Sequence, residues 1–209
     1  MRALFVLLLG SAVGIMGTSS GPLPTPGECS NERGGATFCI YRSLAPSAGI
    51  VASCRDEHAC RVGYYYGNPT DAVWFTPPAG MATVPKPEVI WLTSTLAWVR
   101  VDCSHPCSVS YFFEVRRKRL SEPRHAVLAV DSRRLLLAAA EDRALVIRQV
   151  FSGREVVRLE RDWAPAAWLG DVISELRFDP DGRLSFTWLR GKERAPASER
   201  VSVPSVPHR

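Results

Sequence analysis

Short hydrophobic runs separated by polar turns recur along most of the chain. Within residues 49–66, a run rich in Val and Ile is followed by a charged loop and then by an aromatic run. Within residues 98–113, polar and apolar side chains alternate on both sides of the loop Ser104-His105-Pro106. Both patterns are typical of two antiparallel strands joined by a turn. The first half therefore predicts two β-hairpins.

The second half shows the same kind of pattern, with apolar runs at meander spacing. Polar turns of a few residues separate these runs, which favours consecutive antiparallel strands. The runs cover residues 125–130, 135–140, 145–150 and 155–159.

A further hairpin is predicted over residues 172–189. The segment Asp179-Pro180-Asp181-Gly182 divides it, and proline with glycine is typical of a turn. In the second arm, Leu184, Phe186 and Trp188 are two residues apart and so share one face of a strand.

An alternative exists for residues 132–150, which are rich in Leu, Ala, Arg and Glu. These residue types have high helix propensity, and Asp131 is suited to cap a helix at that point. The same stretch therefore also permits one long helix. Taken together, the runs predict a mainly β fold of antiparallel hairpins and meanders.

The six cysteines fit the predicted hairpins. Two pairs stand at the necks of the hairpins in the first half, where facing strands bring Cβ atoms close enough for a disulfide. We therefore expect three disulfides, although six cysteines allow 15 connectivities. The expected pairs are Cys29 with Cys39, Cys54 with Cys60, and Cys103 with Cys107.

A metal or thiol-redox site is the alternative for these cysteines. His58 and His105 each lie inside a cysteine-bracketed loop, and thiolate with imidazole suits zinc or copper. The spacing, however, is not the Cys-x-x-Cys of zinc or redox motifs. An oxidising compartment also favours disulfides. No metal and no cofactor is predicted, and the alternative site is Cys103, His105 and Cys107.

The amino terminus predicts export. A hydrophobic run from Ala3 to Gly17 follows the charged Arg2, and small residues come next. The run is too short for a transmembrane helix and has the length of the apolar region of a secretory signal peptide. We expect a secreted or periplasmic protein that is not embedded in a membrane.

The predicted organisation has four parts. Residues 1–20 are the signal peptide, 21–120 a cysteine-rich β region, 121–203 a cysteine-free β meander, and 204–209 a disordered tail. The overall composition, with 46% hydrophobic and 22% charged residues, is that of a globular protein.

Two segments of the second half resemble blades of a β-propeller of the WD-repeat or related type. These are residues 130–159, which contain Phe151-Ser152-Gly153-Arg154, and residues 176–189, which open with Leu-Arg-Phe-Asp-Pro-Asp-Gly. The resemblance implies a small propeller-like domain that acts as a binding scaffold. A β-sandwich whose strands share the same turns is the alternative.

Catalytic motifs are not apparent in the sequence. It has no Gly-x-Ser-x-Gly elbow, His-Glu-x-x-His motif, phosphate-binding glycine loop or dinucleotide-binding fingerprint. The formal net charge of +5 is modest for a nucleic-acid-binding protein. We therefore expect neither an enzyme nor a nucleic-acid partner.

Two features are candidates for binding a protein partner. The first is a basic run with further arginines after it in the chain, namely Arg116, Arg117, Lys118 and Arg119, followed by Arg124, Arg133 and Arg134. The second is Tyr64-Tyr65-Tyr66: because Tyr65 points away from the flanking pair in a strand, at least one aromatic face is expected to be exposed, and Tyr65 is the candidate contact. Arginine and tyrosine are frequent interface anchors.

These observations predict an exported protein that works by binding. Its expected role is that of an inhibitor or immunity-type protein for a toxin or envelope hydrolase. The alternatives are the metal or thiol-redox protein described above and a structural envelope protein. The oligomeric state is left open.

Overall fold

A computed structural model describes residues 25–31, 35–44, 47–56, 59–75, 84–102 and 107–205. Within these ranges, seventeen strands form four sheets, and all pairings between named strands are antiparallel. Two 3-10 turns, Pro69–Asp71 and Leu169–Val172, are the helical elements of this part of the chain. None of its helices has the length and apolarity needed to cross a membrane. The mainly β prediction is confirmed.

Sheet 1 contains five strands in chain order and includes the first predicted hairpin. Its strands are β1 (Glu28–Asn31), β2 (Thr37–Arg42), β3 (Ala48–Cys54), β4 (Cys60–Tyr66) and β5 (Val73–Trp74).

Sheet 2 is built around the second predicted hairpin, β7 and β8. The edge strand β6 pairs with β7, and the short β9 and β10 both pair with β8. Residue 120, where the sequence suggests a boundary between two regions, lies within this sheet. The strands are β6 (Glu88–Trp91), β7 (Leu96–Asp102), β8 (Ser108–Glu114), β9 (Arg119–Leu120) and β10 (Arg124–His125).

Sheets 3 and 4 form the cysteine-free half. Sheet 3 is a four-stranded meander of β11 (Val127–Asp131), β12 (Leu136–Glu141), β13 (Ala144–Gln149) and β14 (Glu155–Glu160). Sheet 4 has three strands, β15 (Ile173–Phe178), β16 (Arg183–Arg190) and β17 (Ala195–Ser202). The two segments with propeller-blade resemblance lie in sheets 3 and 4, and that resemblance stays a prediction.

The sheets stack in chain order, with an apolar layer between each neighbouring pair. Tyr41 and Val62 of sheet 1 pack with Phe113 of sheet 2. Trp98 of sheet 2 packs with Leu137 of sheet 3 in the next layer. The third layer joins sheets 3 and 4 and includes Leu136, Ala138, Leu145, Leu184, Phe186 and Trp188. The predicted shared face of the last three residues is confirmed.

The alternative helix over residues 132–150 is wrong. This stretch forms β12 and β13, joined at Asp142 and Arg143 in a two-residue turn, with Glu141 opposite Ala144. Leu136 and Ala138 face sheet 4, whereas Leu137 and Ala139 face sheet 2. Because β12 is buried on both faces, its sequence is a continuous apolar run that lacks the alternation of a half-exposed strand.

Several turns meet at one end of the stack, which we call the turn end. It comprises residues 92–95, 115–118, 132–135 and 179–182. Backbone hydrogen bonds connect neighbouring segments there: Val115 N donates to Thr95 O at 2.8 Å, and Val150 N donates to Leu135 O at 2.8 Å. The turns 142–143 and 191–194 lie at the opposite end, because β12 and β16 run away from the turn end.

Candidate partner-binding site

The disulfides confirm part of the predicted cysteine pairing. Cys29 is bonded to Cys39, and Cys54 is bonded to Cys60. Cys107 is also disulfide-bonded, whereas Cys103 lies outside the described residues. The predicted pairing of these two cysteines therefore stays a prediction.

The alternative metal or thiol site lies mostly outside the described residues. His58 and His105 belong to segments that are not described, and the sulfur of Cys107 is not a free thiolate because it is disulfide-bonded. In the described ranges, no group of three His, Cys, Asp or Glu side chains could hold a metal ion.

The basic run forms the turn between β8 and β9 at the turn end. Lys118 N donates to Val115 O at 3.2 Å and Lys118 has φ +48°, which reverses the chain direction. Arg119 then pairs with Glu114 across the two strands. The tight turn directs all four side chains outward, and Arg116, Arg117, Lys118 and Arg119 are exposed.

Three of these side chains make weak contacts with neighbours. Arg117 Nε lies 3.9 Å from Glu114 Oε2, beyond hydrogen-bond distance. The Lys118 ammonium lies 5.2 Å from the centre of the Tyr66 ring, and the Arg119 guanidinium 4.5 Å from that of Phe151. Arg116 has no ion pair within the described part of the chain. These cations are therefore available to a partner at small cost.

The turn between β11 and β12 adds two arginines with opposite roles. Asp131 Oδ1 accepts hydrogen bonds from the backbone N–H groups of Arg133 at 2.9 Å and Arg134 at 3.1 Å, which fixes the turn. The Arg133 side chain is exposed and has no carboxylate within ion-pair distance among the described residues. Arg134 is turned inward, where its Nη1 donates to Gly182 O at 2.8 Å.

Arg133 and Arg117 come together at a small cleft between sheets 2 and 3, which we call the basic cleft. Its volume is about 260 Å³. Thr93 helps to shape it, because its hydroxyl accepts hydrogen bonds from the N–H groups of Thr95 and Leu96 at 3.2 and 3.0 Å. The cleft is lined by Thr93, Thr95, Leu96, Glu114, Arg117, Ser132, Arg133 and Leu135.

A larger cleft of about 530 Å³ lies next to it, between sheets 3 and 4. We call it the mixed cleft because apolar side chains alternate with charged ones along its wall. It shares Ser132 and Arg133 with the basic cleft, so the two openings adjoin. Its lining also includes four apolar and two acidic residues, namely Val130, Phe178, Pro180, Val203, Asp179 and Asp181.

The carboxylates of the mixed cleft are already paired. Asp179 Oδ2 accepts from Arg200 Nε at 2.8 Å, and Asp181 Oδ2 accepts from Arg200 Nη2 at 2.9 Å. A hydrogen bond from the Ser185 hydroxyl, with Arg200 next in importance, holds the pKa of Asp179 below its ordinary value. These acids therefore do not offset the cations of the neighbouring basic cleft.

Positive charge is concentrated at the turn end. The four segments of the turn end carry five cationic side chains and two carboxylates, an excess of three, whereas the formal net charge of the whole chain is +5. Both carboxylates, Asp179 and Asp181, are paired with Arg200. The turn end therefore attracts an acidic partner.

Arg124, which the sequence analysis grouped with the basic run, instead connects two sheets. Its guanidinium donates to Val150 O and Phe151 O, each at 3.2 Å, and so joins sheet 2 to sheet 3. Burial is the main cause that lowers the pKa of Arg124 from its ordinary value. This side chain does not line either cleft.

Tyr65 does not supply the expected exposed aromatic face, whereas Tyr64 and Tyr66 are half-buried. Only 2% of this residue is exposed. Its ring lies against Gly49, where an added Cβ would come within 2.7 Å of Tyr65 Cε1. Tyr64 and Tyr66 point to the other face, as predicted, and pack against Phe113 with ring centres 4.8 and 5.6 Å apart. All three rings serve packing.

Sequence reasoning missed the polar residues that complete the basic cleft. Thr93 and Thr95 lie in one turn and Ser132 in another, and nothing in their local sequence connects them with the basic run. They meet because sheets 2 and 3 stack with their turns at the same end.

No protein-family model, no curated protein and no solved structure matches this chain.

Proposed function

We propose that this protein is an exported binding protein that holds an acidic partner protein at its turn end. Its role would be that of an inhibitor or immunity-type protein directed at a toxin or envelope hydrolase. The observation that carries the proposal is the concentration of exposed Arg116, Arg117 and Arg133 around two adjoining clefts.

The charge arrangement suits recognition of an acidic surface. Exposed arginines bind carboxylates through bidentate, charge-assisted hydrogen bonds, and they are frequent in protein interfaces. The clefts add concave surface, which a partner side chain can fill. A concentrated positive field also speeds the encounter with a negatively charged protein, so we expect association to slow as salt increases.

The proposed location follows from two further features. The predicted signal peptide at residues 1–20 is an export signal. The disulfides Cys29–Cys39 and Cys54–Cys60 are suited to an oxidising compartment. We therefore place the binding event in the periplasm or outside the cell.

The test is affinity capture with the oxidised protein and envelope extracts of its source organism, followed by mass spectrometry. The wild type should retain one partner in a stoichiometric amount. A variant in which Arg116, Arg117, Lys118 and Arg119 are each replaced by Ser should lose it. Raising the salt concentration should weaken retention, because the contact is between opposite charges.

The chain offers a matched control at the opposite end of the stack. The control variant replaces Arg143, Arg190, Lys192 and Arg194 by Ser. Like the first variant, it removes three arginines and one lysine, all exposed, here from the turns 142–143 and 191–194 and the adjacent strand end. This variant should keep the partner. Absence of any stoichiometric partner, or equal loss in both variants, would contradict the proposal and favour a structural envelope protein.

A further inference from the structure

We infer that the two clefts receive one extended segment of the partner, with a carboxylate side chain in the basic cleft and an apolar side chain in the mixed cleft. This inference rests on the proposed function and specifies the chemistry of the partner at the same surface. The argument comes from the lining of each cleft and from their common wall.

The basic cleft presents unused hydrogen-bond donors. Arg117 is 57% exposed and its nearest carboxylate is 3.9 Å away, so its N–H groups are free to bind. Arg133 has no ion pair within the described ranges. A guanidinium binds a carboxylate in a bidentate manner, which gives both strength and orientation. Two such groups on one small cleft favour a single carboxylate side chain.

Glu114 also lines this cleft, and its single negative charge offsets one of the two cations, Arg117 and Arg133, so the lining keeps one excess positive charge. The Glu114 side chain is only 16% exposed, whereas that of Arg117 is 57% exposed. The open surface is therefore dominated by Arg117, Arg133 and the hydroxyl groups. At about 260 Å³ the cleft admits one side chain and excludes a folded element.

The mixed cleft has an apolar part that suits an apolar group. Val130, Phe178, Pro180 and Val203 contribute this apolar lining. Of the charged groups beside them, Asp179 and Asp181 are paired with Arg200 and Arg134 is paired with Asp131, whereas Arg133 stands on the wall shared with the basic cleft. With a volume of about 530 Å³, the cleft can accommodate an aromatic side chain.

The common wall limits the spacing of the two side chains to a short one. Because Ser132 and Arg133 line both clefts, the openings are neighbours. In an extended chain, side chains two residues apart point to the same side and lie roughly 7 Å apart. The segment should therefore carry its acidic residue and its aromatic residue two positions apart.

The test uses a labelled peptide, acetyl-Gly-Glu-Ser-Phe-Gly-amide, and the oxidised full chain, with binding followed by fluorescence anisotropy at low salt. Replacing the peptide glutamate by glutamine should weaken binding about tenfold or more, because a charge-assisted contact is lost. Replacing its phenylalanine by alanine should weaken binding by about tenfold to a hundredfold, from the lost burial of the ring.

The protein variants locate the two contacts. Arg133→Ser should weaken binding of the glutamate peptide by about tenfold and should have little effect on the glutamine peptide. Arg143→Ser removes the same charge at the opposite end and should leave binding of both peptides unchanged. This crossed pattern distinguishes a seated carboxylate from general attraction between opposite charges.

Three outcomes would overturn the inference. The first is no binding of the peptide up to about 1 mM, which corresponds to a binding free energy of about −4 kcal/mol. The second is equal binding of the glutamate and glutamine peptides. The third is preferential binding of heparin in an Arg133-dependent manner. The last outcome would indicate an anionic polymer as the ligand. If the peptide fails while affinity capture still yields an arginine-dependent protein partner, the inference is wrong and the proposed function stands.

Discussion

Sheet 1 is the first sheet of the stack and sheet 4 is the last. Different interactions hold their strands in place. In sheet 1, disulfides join β1 to β2 and β3 to β4. Sheet 4 has no cysteine. Its face toward sheet 3 carries an aromatic cluster in which Phe186 and Trp188 have ring centres 5.1 Å apart and Trp163 lies 5.8 Å from Trp188.

At the edge of sheet 1, the difference follows from how little apolar surface the strand β1 can bury. All four residues of β1 are exposed, so burial contributes little to holding this edge strand. The Cys29–Cys39 disulfide supplies the stabilisation that burial does not, because it restricts the unfolded chain. In sheet 4, Leu184, Phe186 and Trp188 are all buried, and ion pairs such as Arg161 with Glu199 at 2.7 Å add to the packing. The Cys29–Cys39 disulfide thus secures the exposed edge strand of sheet 1, whereas Cys54–Cys60 joins β3 and β4, which are largely buried.

Reduction of the disulfides should give the largest difference between sheet 1 and sheet 4. Each of the two closed loops is worth about 2–3 kcal/mol in the chain-entropy model. Hydrogen exchange measured by mass spectrometry should therefore show loss of amide protection in β1–β4 after reduction. The strands β12–β17 contain no cysteine and should keep their protection.

The oxidised protein in the same buffer is the control for that experiment. If reduction lowered protection equally in β1–β4 and in β12–β17, the whole stack would unfold as one unit. The contrast between the two ends of the molecule would then be wrong, and the disulfides would stabilise all four sheets.

The next effect concerns Arg134, which connects sheet 3 with sheet 4. Its Nε donates to Asp131 at 2.6 Å, while Nη1 donates to Gly182 O at 2.8 Å and Val203 O at 3.3 Å. Arg134→Lys keeps the charge but loses the planar set of donors. Since hydrogen bonds to charged groups contribute about 1.5–3 kcal/mol, we expect the free energy of unfolding in urea to fall by about that amount.

The adjacent residue provides the control, because Arg133 is exposed and makes no ion pair with any described residue. Arg133→Lys should change the free energy of unfolding by no more than about 0.5 kcal/mol. Equal effects of the two substitutions would show that Arg134 does not hold sheets 3 and 4 together. The pair therefore separates a structural arginine from the neighbouring arginine that we propose for binding.

The hairpins of the fold could be predicted because their signals are local. Neck cysteines, polar turns and the alternation of Leu184, Phe186 and Trp188 identify strands without reference to distant residues. The strand β17 was missed, since Ala195–Ser202 contains a proline and mostly small or polar residues. It forms because all eight residues pair with β16, and an edge strand tolerates Pro196.

The candidate site could be predicted only in part, for a similar reason. The basic run is visible as a sequence feature, and the structure exposes it in the turn between β8 and β9. The meeting of Arg117 with Arg133 depends on the stacking of sheets 2 and 3, which no local pattern encodes. The burial of Tyr65 depends on Gly49 in the paired strand, where the missing side chain leaves space for the ring.

The smallest expected effect is the response of sheet 3 to acid. Glu141 accepts two hydrogen bonds of 2.6 Å from Arg148, and these are the main cause that lowers the pKa of Glu141 from its ordinary value. A carboxyl whose pKa is lowered by folding stabilises the protein fully above its unfolded pKa of about 4.3, and this contribution disappears as the pH falls through the folded pKa. We expect the free energy of unfolding to fall by about 1 kcal/mol or less, as for partly exposed ion pairs. This loss should appear as a fall in Tm upon acidification that is smaller in Glu141→Gln.

The control is Glu193→Gln. Glu193 is exposed and has no ion pair to the described chain, so this variant should retain the full acid response. If acid instead reduced amide protection first in β1–β4, the ion pairs would not be what distinguishes the cysteine-free half.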